Sequence, residues 1–106
     1  TYISDTIQGT VLAGESRAGE GQVFNIGSPV EIAIGELARL VKRLTGSASP
    51  IVTVPYEAVY GPGFEDTRRR LPSIARAQRV LGYSPKVSLE DGLKRTIAWW
   101  QEHFRP

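Results

Sequence analysis

A chain of 106 residues, 41% hydrophobic and 23% charged, holds enough material for one small domain and has a globular balance that excludes disorder. A net charge of +2 gives no electrostatic footprint for nucleic acid or a membrane surface. With no cysteine there is no disulfide framework and no thiolate metal site, which suits a cytoplasmic location, and no apolar run nears the roughly 18 residues of a membrane span.

Thr1-Tyr2-Ile3 is β-prone, and the opening residues lack the basic and long apolar stretches of a signal peptide. They read as the interior of a longer chain, so a fragment is expected. Asp5 stands where an N-cap belongs, and Ile7, Val11 and Leu12 follow at helical spacing, predicting a helix over about Thr6 to Gly14. Glu15 to Gly21 is turn-rich. Val23-Phe24-Asn25-Ile26 predicts a strand stopped by Gly27. Two starts then compete for the next helix. Ser28-Pro29-Val30-Glu31 has capping-box spacing with proline at the first helical position, whereas Glu31 to Ile34 could be an extended step before it. From Ile34 the stripe is plain in Leu37, Leu40, Val41 and Leu44, with Gly46 as the stop.

Ile51 to Val54 predicts a second strand, ended by Pro55. Tyr56 to Pro72, with Gly61, Pro62 and Gly63, predicts a long loop, and a long loop in a small domain is often functional. Ser73 is placed to cap a short helix carrying Ile74, Ala77, Val80 and Leu81, stopped by Gly82. Ser88 and Asp91 make a capping-box pair before the longest amphipathic helix, with Leu89, Leu93, Ile97, Trp100 and Phe104 on its stripe. Trp100 is expected in the core, and Trp99 falls off the stripe. The sum is an α/β fold of short strands with about four helices. So few strands make a weak sheet unless they join a larger one.

The residues contain no complete reaction centre. His103 is the only histidine and sits at a helix end; no catalytic residue and no metal ligand is assigned. Gly61-Pro62-Gly63 lacks the strand-then-helix setting of a dinucleotide loop. The informative cluster is Arg68-Arg69-Arg70. It is a solvated loop with Glu65 and Asp66 as local partners, or it grips phosphate, which a planar guanidinium does with two parallel hydrogen bonds. Nucleic acid is a weaker third reading, because the basic run is isolated and lacks interleaved aromatics. Asn25 offers a donor and an acceptor for a base or a sugar hydroxyl, or else caps a turn. Tyr56, Tyr60 and Phe64 could pack on a sugar or base, or pin the loop to the core.

Six elements in order carry a resemblance: Tyr2-Ile3-Ser4-Asp5, Val23-Phe24-Asn25-Ile26-Gly27, Glu36-Leu37-Ala38, Arg70-Leu71-Pro72-Ser73-Ile74, Leu81-Gly82-Tyr83-Ser84-Pro85 and Leu89-Glu90-Asp91-Gly92-Leu93. Together they resemble the C-terminal part of the NAD-dependent epimerase/dehydratase family, the extended short-chain dehydrogenases. These include UDP-glucose 4-epimerases, dTDP-glucose 4,6-dehydratases and UDP-glucuronate decarboxylases.

The resemblance implies that residues 1–106 are one nucleotide-sugar-binding subdomain of a UDP- or dTDP-sugar enzyme. In decarboxylase-like members an arginine followed by lysine, proline and aspartate contacts the diphosphate, and Arg70 stands there. In dehydratase-like members the arginine lies one or two places earlier, which keeps Arg69 and Arg68 as candidates. The family's aspartate after the proline is Ser73 here. Asn25 matches a strand-end asparagine. The family's NAD loop and its Tyr-x-x-x-Lys pair would belong to an N-terminal Rossmann domain absent from this sequence. The resemblance therefore implies NAD in the parent enzyme, none bound by this chain, and no turnover by this chain alone. Apolar area left uncovered without the Rossmann domain would favour homo-oligomers. The competing expectation is a stand-alone binding or scaffolding module whose basic loop serves no enzyme.

Overall fold

The computed structural model describes residues 1–104. Its regular elements are all helical: α1 (Ile3–Glu15), a short 3-10 turn (Arg17–Gly19), α2 (Ile34–Thr45), α3 (Tyr56–Tyr60), α4 (Ala75–Leu81) and α5 (Leu89–His103). No strand occurs among the described residues. The expected α/β class is therefore corrected to an all-helical one. The two apolar runs are irregular and lack a ladder, and Val23, Ile51, Val52 and Val54 stay at least half exposed. Strand propensity mainly records packing on a pleated surface, and without a neighbouring strand it has nothing to act on. The backbone of the first run is tied by side chains instead. Arg76 Nη1 donates to the Val23 carbonyl at 3.1 Å, and the Tyr83 hydroxyl donates to the Gly27 carbonyl at 3.1 Å.

The chain divides into two compact bodies. One holds residues 1–31 and those from 71 onward, the other Ile32–Arg70.

The first body carries the core. Ile74, Ala77, Leu81 and Tyr83 are buried, with Leu12, Ala13, Phe24, Ile26 and Val80 packed on them. Gly82 ends α4 in the left-handed conformation, φ 67°. The turn it makes lets the Tyr83 amide bond back to the Ala77 carbonyl at 3.2 Å and sends the Tyr83 ring inward. α1 begins at Ile3, earlier than expected, so Thr1-Tyr2-Ile3 is not a strand and Asp5 is not a cap. Tyr2 takes the cap position, and Asp5 lies in the first turn, 3% exposed. The Asp5 carboxylate accepts from the Val87 amide at 3.0 Å, so it satisfies a donor far along the chain rather than one in its own helix.

Two further corrections concern helix starts. α4 begins at Ala75 with Ile74 at its cap position, so Ser73 does not cap it; the Ser73 carbonyl instead accepts from Asn25. At α5 the expected cap is present, with Ser88 Oγ accepting from the Asp91 amide at 3.1 Å. Trp100 is not core: Trp99, Trp100 and Phe104 are all about half exposed, and Trp100 stacks on Phe104 with centroids 4.4 Å apart.

In the second body α2 starts at Ile34, which settles the two competing starts in favour of the later one. Ala33 has no side-chain oxygen, but the Glu36 carboxylate reaches back to the Ala33 amide at 3.4 Å. Leu37, Leu40, Val41 and Leu44 form a half-buried stripe.

Candidate functional site

The expected loop from Tyr56 to Pro72 begins with a helix. Pro55 fits the entry to α3, because its missing amide costs the helix nothing there. Gly61 and Gly63 then take φ of 85° and 84°, conformations that a β-carbon resists. The chain turns sharply there, and Phe64 comes to lie on the rings of α3. Tyr60 and Phe64 stack with centroids 4.4 Å apart, and Tyr56 tilts against Phe64 at 5.4 Å. The three rings pack on one another and stay partly open to solvent, which corrects the expectation that they pin the loop to the core. Because α3 is a helix, Gly61-Pro62-Gly63 follows a helix rather than a strand. It cannot be the loop that cradles a dinucleotide.

The ring cluster brings Tyr56 to Asp66. The Tyr56 hydroxyl donates to Asp66 Oδ2 at 2.9 Å, and the Thr67 amide donates to Oδ1 at 2.8 Å. Arg70 Nη2 also donates to Oδ1 and forms an ion pair with it. The Asp66 carboxyl lies below its ordinary value, first because the Tyr56 hydroxyl donates to it, with the Arg70 charge and the Thr67 amide adding. The same hydrogen bond raises the Tyr56 phenol above its ordinary value. At neutral pH the group is therefore a phenol, a carboxylate and a guanidinium in a row. The Arg70 side chain is 73% exposed, against 31% for Asp66, so the cation faces solvent and the carboxylate is the sheltered partner.

Of the residues singled out from the sequence, Arg70 joins this cluster, and Arg68 and Arg69 are exposed beside it in the chain. Asn25 lies in the other body, where its Nδ2 donates to the Ser73 carbonyl at 3.2 Å. Glu65 and Asp66 were expected as local partners for the arginines, and Asp66 is the one that pairs with Arg70. Sequence reading missed Tyr56 as the hydrogen-bond donor, because a ten-residue separation across an unforeseen helix leaves no periodic trace. Among the described residues no group of three or more His, Asp or Glu stands where a metal could be held. No helix among them is long and apolar enough to cross a membrane.

No family model matches the chain. Individual proteins do. UDP-N-acetyl-alpha-D-glucosaminuronate decarboxylase of Bacillus cytotoxicus is 41% identical over 102 residues, 96% of this chain and 32% of that protein. UDP-glucuronic acid decarboxylase 1 of Xenopus tropicalis is 35% identical over 103 residues, 97% of this chain and 23% of that protein. Among solved structures, the Bordetella bronchiseptica enzyme WbmF, crystallised in complex with NAD+ and UDP, superposes with a TM-score of 0.71. It is 31% identical and matches 92% of this chain and 28% of its own. The chain thus spans a third or less of the length of these relatives. Two of these relatives are named as decarboxylases of UDP-sugars, and the third was crystallised with UDP. The chain resembles the C-terminal region of the NAD-dependent epimerase/dehydratase family.

Proposed function

We propose that this chain is the substrate-binding region of a larger NAD-dependent enzyme acting on a UDP- or dTDP-sugar. In this reading Arg70 grips the diphosphate, with Arg69 and Arg68 beside it. The observation that supports it most is the 41% identity to a UDP-sugar decarboxylase across nearly the whole chain. The exposed guanidinium of Arg70, in the place where decarboxylase-like members carry their diphosphate arginine, agrees with it. A guanidinium has five N–H donors and engages Asp66 through Nη2, so its other edge can still take two phosphate oxygens. Asn25 has committed its amide nitrogen to Ser73, which leaves its carbonyl oxygen as an acceptor for a hydroxyl. NAD would supply transient hydride storage to such an enzyme. The residues here offer no dinucleotide loop, so NAD would be held by other parts of the protein. A cytoplasmic location belongs to the same reading.

The test is Arg70→Ala in the full-length protein, with UDP binding followed by calorimetry. Loss of a charged hydrogen bond predicts affinity weaker by about 1.5 to 3 kcal/mol, or ~10- to 150-fold. Unchanged affinity would move the grip to Arg69 or Arg68. A full-length protein that binds neither UDP nor dTDP would favour the scaffolding module instead.

A further inference from the structure

We infer that Tyr56 and Asp66 are positioning residues that aim Arg70, an inference that rests on the reading of Arg70 as the diphosphate ligand. The argument starts from flexibility. Arg70 sits in irregular chain, 73% exposed, beyond two glycines at positive φ. A long side chain in that setting loses much rotamer freedom when it binds, and every restraint applied beforehand reduces that loss. A lone exposed ion pair is a poor restraint, since such pairs contribute little and open readily. Asp66, however, is not a lone partner. Its carboxylate is already held by the Tyr56 hydroxyl at 2.9 Å and the Thr67 amide at 2.8 Å, neither of which depends on Arg70. Tyr56 in turn is seated by its ring against Phe64 and Tyr60. The restraint therefore runs from helix α3 through a phenol and a carboxylate to one edge of the guanidinium. The guanidinium stays 73% exposed, and its remaining donors are those that two parallel hydrogen bonds to a diphosphate would use.

Charge separates this role from simple competition. Removing Asp66 takes away both a restraint and a negative charge near the incoming anion, and these effects oppose each other. Tyr56→Phe removes only the hydroxyl. It keeps the ring, the charge balance and the stacking, and it isolates the restraint.

The experiment is a double-mutant cycle on the full-length protein with UDP as the probe, comparing Tyr56→Phe with and without Arg70→Ala, and with thermal melting to confirm folding. The expected result is about two- to five-fold weaker UDP binding in Tyr56→Phe, the scale of one exposed charge-assisted contact. That effect disappears once Arg70 is alanine. If Arg70→Ala weakens binding and Tyr56→Phe does not, the positioning role is wrong and the diphosphate reading stands. Equal weakening by Tyr56→Phe in both backgrounds also overturns it, because the hydroxyl would then act without Arg70. If Arg70→Ala has no effect, Arg70 is not the diphosphate ligand and this inference fails, while the grip passes to Arg69 or Arg68.

Discussion

Gly9 and Gly14 lie in the same helix, α1, yet the same substitution should move stability in opposite directions. Replacing glycine with alanine inside a helix ordinarily gains about 0.5 to 1 kcal/mol, because glycine loses more backbone freedom on folding. At Gly14 an added β-carbon meets nothing within 4 Å, so that gain should be realised. At Gly9 the β-carbon would lie 2.6 Å from Ile26 Cγ2, 2.9 Å from Ile26 Cδ1 and 3.1 Å from Tyr83 Cε2. None of these can retreat cheaply. Cγ2 is fixed on a β-branched carbon, and the Tyr83 ring is 1% exposed and anchored through its hydroxyl to Gly27. Overpacking of this kind costs roughly 1 to 3 kcal/mol. Set against the helical gain, Gly9→Ala should come out net destabilising by about 1 kcal/mol, and Gly14→Ala net stabilising by about 0.5 kcal/mol. Denaturant melts followed by far-UV circular dichroism measure both in one series. A Gly9→Ala protein as stable as Gly14→Ala would refute the packing of α1 against the 23–27 segment.

Tyr83→Phe should cost about 1 to 3 kcal/mol in the same melts, since it strands the Gly27 carbonyl in a buried place. It should also change the alkaline limb of the stability curve. Burial, and then the nearby Asp5 charge, raise the Tyr83 phenol above 10.0. Its contribution is therefore complete below the unfolded tyrosine value and is lost as pH rises through the folded one. The native protein should weaken above about pH 10 more steeply than Tyr83→Phe does; parallel curves would remove Tyr83 as the cause. Ser88→Ala should cost about 1 kcal/mol and Ser88→Gly only a few tenths, because glycine is tolerated at a helix cap where alanine is not. Equal losses from the two would mean that the Ser88 to Asp91 bond is not what starts α5.

Most of the helices were legible in the residues, and the reason is local. The stripe of Leu37, Leu40, Val41 and Leu44, the glycine stops at 46 and 82 and the Ser88 cap all act within one or two turns of chain. Such interactions keep their sign whatever surrounds them. The expected strands are absent from the described residues, because a strand is a relation between segments. Val23 to Ile26 and Ile51 to Val54 have the right composition, but composition does not supply a partner, and among the described residues they form no ladder. Asp5 shows the same limit. Its position suggested a cap, yet its partner is the Val87 amide, 82 residues away.

The site divides along the same line. Sequence alone singled out the arginine cluster and, by resemblance, its family, since both are patterns of residue type in order. Only the tertiary structure decided that Tyr56 and Asp66 stand behind Arg70. That grouping needed helix α3, the turn through Gly61 and Gly63, and the stacking of three rings, none of which is a short-range signal. A guanidinium's charge is written in the residue, but its aim depends on neighbours that only folding brings within hydrogen-bond reach.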